Sequence, residues 1–236
     1  MAIHCIFIIF NHFLLFHYVS IYQYIYLYLS SYHIISCHVW FDSSFSFSLS
    51  IVLNFGVHGR RMMKYPDDMS YWETSHLQVA LQSHPHIVIL QFGSNDCVRH
   101  VWDEDAFRRD YKEMIRKFQS LESKPRVYMC IPPPLYESNA PCEDPVYDLR
   151  CEFKHMINYV LPSVLRGIAI ESNVTLINNF DALGGEMLTR PDTIIMDHLH
   201  PNDLGYLAMA HEVAYELSVH ENFSQIAFKA PYFAKQ

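Results

Sequence analysis

His86-Ile-Val-Ile-Leu-Gln-Phe-Gly-Ser-Asn-Asp96 is an apolar run that ends abruptly in turn-forming residues. A short, nearly continuous apolar stretch bounded in this way is what a strand buried on both faces requires. Two further stretches repeat the pattern: Arg126-Val-Tyr-Met-Cys-Ile131, stopped by Pro132-Pro133-Pro134, and Val174-Thr-Leu-Ile-Asn178. Between and around them, apolar residues recur at helical spacing. Tyr71 to Leu81 is one such segment, with Ser70 placed to cap it, and Asp103 to Leu121 is another. Leu149 to Ser172 is a third, which Pro162 must kink or divide, and Asn202 to Ser218 is the last, with Asn202 or Asp203 at its start. Strands that alternate with helices predict an α/β fold, a mainly parallel sheet flanked by helices. Functional residues then belong on loops at the carboxyl ends of the strands.

The chain has 236 residues, half of them hydrophobic and 18% charged, so one domain with a sizeable core is affordable. A net charge of −8 argues against a nucleic-acid partner, which needs clustered Lys and Arg. Arg60-Arg61 and Arg108-Arg109 are isolated pairs, read as solvated charge. The six cysteines show no Cys-x-x-Cys and no zinc spacing. Cys142 and Cys151 could close a small disulfide loop in a secreted chain, and Asn173-Val-Thr and Asn222-Phe-Ser are glycosylation sequons. Neither fixes the compartment; a secreted or membrane-associated location is open.

Composition changes near residue 54. Residues 1–53 hold no glycine, no proline and a single charge, Asp42, whereas every Lys and Arg of the chain comes later. The division expected is therefore residues 1–53 as an apolar N-terminal segment and residues 54–236 as the folded domain. The first segment is long and apolar enough for a membrane anchor, although it lacks flanking basic residues and is interrupted by Asn11, His12, His17 and Gln23. A signal peptide is disfavoured by the missing basic start. Sequence that is not native to the domain is the remaining reading.

Two loops carry the candidate chemistry. Phe92-Gly93-Ser94-Asn95-Asp96 follows a strand, where Asn95 can present its amide to a cleft, although these residue types also make plain turns. Met196-Asp197-His198-Leu199-His200-Pro201-Asn202 precedes the last helix. An Asp three residues before a His can hold the imidazole in the tautomer needed for general-base work. Helix capping is the bland alternative for these residues, and a metal site made by Asp197, His198 and His200 is a rival.

Together the loops resemble the SGNH (GDSL-like) hydrolase superfamily, in which a Gly-x-Asn-Asp block follows one strand and an Asp-x-x-His block precedes the final helix. Asn54-Phe55-Gly56-Val57-His58-Gly59 is similar to that family's glycine block after its second strand. Tyr71-Trp72 and Trp102 bring the wording closest to sialate O-acetylesterase-like members. The resemblance implies a flavodoxin-like three-layer fold and an ester hydrolase, an acyl or acetyl esterase working by serine-type acyl transfer on a small-molecule or carbohydrate ester. It implies His200 as general base and Asp197 as its orienting acid. The Gly59 backbone N–H and the Asn95 side chain would form the oxyanion hole, and no metal or cofactor is needed. Asp96, His58 and His198 would have packing or loop roles.

The family's first block, Gly-Asp-Ser at the end of the first strand, supplies the nucleophile. With no glycine before Gly56, this chain cannot have it in the usual form. The nearest imitation, Asp42-Ser43, is separated from Asn54 by only ten residues, too few for the dozen or more that a crossover needs. The expectation is a fold whose first strand is missing or replaced. The alternative function is a catalytically inactive or truncated protein of the same fold.

Overall fold

In the computed structural model, the central run of the sequence forms strands whose successive side chains enter two different cores. The residues described are 2–10, 34–37, 48–65, 68–98, 100–136, 153–185 and 199–221. Among the described residues six strands make one sheet: β1 (Ala2–Phe10), β2 (Ile34–Cys37), β3 (Ser48–Asn54), β4 (Ile87–Gln91), β5 (Arg126–Ile131) and β6 (Thr175–Asn178). Their spatial order is β2-β3-β1-β4-β5-β6, all parallel except β2, which runs antiparallel along β3 at the edge. Val88 and Leu90 of β4, with Val127, Met129 and Ile131 of β5, face one core. Ile87, Ile89, Tyr128 and Cys130, the alternate residues, face the other. Period-two alternation into two buried faces is the three-layer arrangement.

The first core is covered by α1 (Ser75–Gln82), α2 (Glu104–Gln119) and α3 (Leu161–Ser172), through Leu77, Phe107, Tyr111, Ile115, Leu165 and Ile168 among others. Each such side chain, fully buried, stabilises the fold by roughly 1.5–3 kcal/mol. A single turn of 3₁₀ helix, Tyr71–Glu73, precedes α1. Ser70 caps this turn and Thr74 caps α1, so the predicted helix over 71–81 is two pieces. In α2, Asp103 accepts from the Ala106 N–H at 2.9 Å, and Arg116 and Lys117 lie in the last turn. Both placements oppose the helix dipole favourably. Pro162 sits in the first turn of α3, where its missing N–H costs no bond, and a wide turn at Met156–Val160 leads into it. The second core is covered by α4 (Asn179–Ala182) and α5 (Asp203–His220), with Leu183, Tyr206, Met209, Val213 and Leu217 packed inward.

The N-terminal segment departs from its expected separateness. Three of its stretches are strands of the same sheet, and β1 lies at the centre, between β3 and β4. The glycine block follows β3 and the Asn block follows β4, so β1 occupies the place of the first strand in the fold. That strand is replaced here by Ala2–Phe10 rather than absent. The run Ile6-Phe-Ile-Ile-Phe10 is rich in β-branched and aromatic residues, which suit a buried strand as well as an apolar anchor. Among the described residues no helix is long and apolar enough to cross a membrane. The Cys142 and Cys151 pair and Asn222 lie outside the described residues, while Asn173 is exposed at the left-handed cap of α3.

Candidate active site

The loop that leaves β3 turns sharply on its own side chain, with Asn54 Oδ1 accepting from the Gly56 N–H at 2.9 Å. It is then pinned from below by the residues around the 3₁₀ turn. The Tyr71 hydroxyl donates to the Phe55 carbonyl at 2.8 Å, and Trp72 Nε1 donates to the Met62 carbonyl at 2.9 Å. Tyr71 is fully buried, and burial pushes its phenol well above the usual tyrosine range, so it stays a neutral donor. Lys64 lies over the Trp72 ring, 4.2 Å from its centroid, and also pairs with Glu113 at 2.6 Å. Gly59 adopts φ +74°, a conformation that L side chains rarely take, and a Cβ there would come within 3.3 Å of the Met69 methyl. Among the described residues the Gly59 N–H has no acceptor.

The second loop starts where β4 ends. Gly93 has φ +123°, and this turn carries Ser94, Asn95 and Asp96 back across the sheet end. Two of the hydrogen bonds that join it to the glycine loop involve Asn95. The Asn95 Nδ2 group donates to the Arg60 carbonyl at 3.2 Å, and Arg61 Nε donates to the Asn95 carbonyl at 2.9 Å. A side-chain amide has two N–H donors, and the bond to Arg60 uses one. Asp96 is fully buried and accepts from the Met62 and Met63 N–H groups at 3.1 and 2.9 Å. Burial pushes its carboxyl up to about 7, opposed by those two donors and by the Arg61 charge. Next to it, Asp110 of α2, also buried, accepts from the Lys64 N–H at 2.9 Å.

The structure thus brings Gly59 and Asn95 together at the carboxyl end of the sheet. Arg61, read from the sequence as solvated charge, is half-buried and bonded between the two loops, because its neighbour's carbonyl is what Asn95 holds. His200 precedes α5, whose first N–H groups are capped by Asn202 at 3.0 Å from the Gly205 nitrogen. The other end of α5 is tied to the amino end of β5, since Arg126 Nη1 donates to the His220 carbonyl at 3.0 Å and Arg126 pairs with Glu221. An 18-residue helix spans about 27 Å. Its N-terminus, and half-buried His200 with it, therefore stands at the same sheet end as Asn95. Asp197, His198 and Ser43 lie outside the described residues. Among the described residues no group of three His, Cys, Asp or Glu could hold a metal.

The model of the GDSL-like lipase/acylhydrolase family matches residues 37–208, well over half of the chain. The chain belongs to this family. It is an SGNH hydrolase by fold as well as by sequence. An acetylxylan esterase from Xylanibacter ruminicola is 24% identical over 181 residues, which cover 69% of this chain and 35% of the relative. This SGNH chain spans about a third of the length of that curated relative. An acetylxylan esterase structure from Geobacillus stearothermophilus superposes with a TM-score of 0.53 at 18% identity, over 71% of this chain and 72% of that one. A peptidoglycan O-acetylesterase structure gives 0.55 at 15% identity, over 73% and 47%.

Sequence reasoning left Asp96 with a packing or loop role and gave no role to Trp72, Tyr71 or Arg61. The usable signal for Asp96 was a charged residue directly after a strand buried on both faces, where an acid persists only with partners.

Proposed function

We propose that this chain is an ester hydrolase that removes short acyl groups, acetyl above all, from a carbohydrate or another small ester. The observation that carries the reading is the Asn95–Arg60 hydrogen bond, which sets the Asn95 amide beside Gly59 at the sheet end where His200 stands. In the proposed chemistry, His200 takes a proton from the attacking hydroxyl, and Asp197 orients the ring and stabilises the imidazolium. The tetrahedral oxyanion accepts from the Gly59 N–H and the second Asn95 N–H, each donor contributing roughly 3–4 kcal/mol in the transition state. Gly59, Asn95, Asp197 and His200 all lie within residues 54–236, and β1 and β3 complete the sheet that carries their loops. Acetyl-carbohydrate specificity draws support from the acetylxylan esterase and peptidoglycan O-acetylesterase relatives.

A second reading, a protein of this fold without its nucleophile, is favoured by one observation. The central strand β1 ends at Phe10, level with Gln91 of β4. The sequence that follows is Asn11-His12-Phe13, and the next serine is Ser20. Loss of a serine nucleophile costs on the order of a million-fold in turnover.

Treatment with a serine-reactive fluorophosphonate, followed by intact-mass analysis and peptide mapping, separates the two. The esterase reading expects one adduct, absent in His200→Ala, and loss of aryl-acetate hydrolysis by at least about a thousand-fold in that variant. No adduct and no turnover in the wild-type chain establishes the second reading. Unchanged turnover in His200→Ala refutes the role given to His200.

A further inference from the structure

We infer that Asp96 is a positioning residue for the oxyanion hole, its carboxylate fixing the glycine loop so that Gly59 and Asn95 present their donors to one point. This rests on the esterase reading above and deepens it. Three successive backbone N–H groups of the glycine loop end on buried carboxylates: Met62 and Met63 on Asp96, and Lys64 on Asp110. Both acids are almost wholly inaccessible to solvent. They differ in what else they hold. Asp110 belongs to α2, meets the loop at its far end alone and also pairs with Arg109 on its own helix. Asp96 is the residue after Asn95, so one carboxylate fixes the glycine loop and the backbone that carries the second donor. The two remaining links, Asn95 to Arg60 and Arg61 to Asn95, run between the same two loops. Together they close a ring of hydrogen bonds with Asp96 at its base. The titratable or charged groups that face Asp96 are Arg61 on the glycine loop, Cys97 on its own loop and Tyr111 on α2. Burial keeps the Cys97 thiol and the Tyr111 phenol neutral, so among the described residues Arg61 is the charge that answers it.

An amide in place of the carboxylate can accept from one of the two loop N–H groups but turns a donor toward the other. The loop then shifts by a fraction of an ångström to an ångström, enough to cost rate without removing any group that touches substrate. The experiment compares Asp96→Asn with Asp110→Asn, since each removes one buried acceptor from the same loop. Hydrolysis of an aryl acetate is expected to lose about 30- to 100-fold in kcat in Asp96→Asn with KM changed by less than about threefold, while Asp110→Asn stays within about threefold in both. In ¹H–¹⁵N spectra the Gly59 amide and the Asn95 side-chain amide are expected to move in Asp96→Asn and to hold their positions in Asp110→Asn. Equal kinetic losses in the two variants, or Gly59 and Asn95 resonances unmoved by Asp96→Asn, overturn the inference. A wild-type chain without turnover refutes the esterase reading alone, and the spectra then decide on Asp96 by themselves. Should Asp96→Asn fail to fold, titration of the wild type serves in its place: Gly59 should follow the Met62 and Met63 amides through one midpoint near 7, and a Gly59 amide that stays put while they move overturns the inference.

Discussion

Replacing Gly93 by Ala tests whether the strand-to-loop turn that carries Asn95 is as constrained as its geometry implies. Two costs are legible. At φ +123° an L side chain is strained, which costs about 1–3 kcal/mol. The added methyl would also stand 2.6 Å from Leu161 Cδ1 and 2.9 Å from Cδ2, inside any real contact distance. Leu161 is fully buried at the start of α3, so relief requires repacking, at about 1–3 kcal/mol. The total, roughly 2–6 kcal/mol, is a large share of the ~5–15 kcal/mol that holds a typical domain together. Urea unfolding of Gly93→Ala, Leu161→Ala and the double variant separates the terms. Leu161→Ala alone should cost about 2–5 kcal/mol, and the double variant should fall short of the sum by about 1–3 kcal/mol, the part that was collision. The backbone part should remain. Strict additivity within about 0.5 kcal/mol, or a Gly93→Ala protein as stable as the wild type, would refute the reasoning.

Other expectations follow from the same contacts. Residues 54–236 expressed alone lose β1 and β3 and leave β4 as an open edge, so the fragment should be insoluble or without a cooperative transition; a soluble, cooperatively unfolding fragment would count against the sheet order. Because burial raises the folded carboxyl of Asp96 to about 7, the folded state holds that proton more tightly than the unfolded chain. Its contribution to stability should therefore fall as pH rises from about 4 to 7, by roughly 4 kcal/mol, and level off above. Subtracting the Asp96→Asn stability curve from that of the wild type should isolate this slope, and a difference that is flat or rises with pH contradicts it. Asn158 accepts from the Leu135 N–H at 2.8 Å and donates to the Leu135 carbonyl at 2.9 Å, holding the proline-rich loop after β5. Asn158→Ala should cost about 2–4 kcal/mol by calorimetry, and a loss under about 0.5 kcal/mol would mean that the loop finds other partners.

The strands at 87–91, 126–131 and 175–178 were readable because each is an apolar run closed by residues that cannot continue it. The helix over 104–119 was readable from its spacing, while its Asp103 cap comes from the structure. The N-terminal strands were not, because an apolar run without glycine or charge has no period and reads equally as anchor, strand or helix. Only the pairing of Ile6 with Ile87 and of Ala2 with Ser48, far apart in sequence, distinguishes them. Gly59 and Asn95 could be proposed as donors from their blocks, but the bonds between the two loops depend on Arg60, Arg61 and Asp96. Nothing local predicts those contacts across more than thirty residues.

The central place of β1 also sets an order of events during synthesis. The strand at Ala2–Phe10 is made well before its β4 neighbours, which begin at Ile87. At the usual elongation rate of about 5–20 residues per second, roughly 4–15 s pass before that side of it can be covered. Once it clears the ribosome, and until β4 is made, the nascent chain presents Ile6-Phe-Ile-Ile-Phe10 to whatever is near the exit. A chaperone that holds such segments would have its main task here before β4 is made, and slowing elongation between residues 10 and 87 should lower the yield of soluble protein.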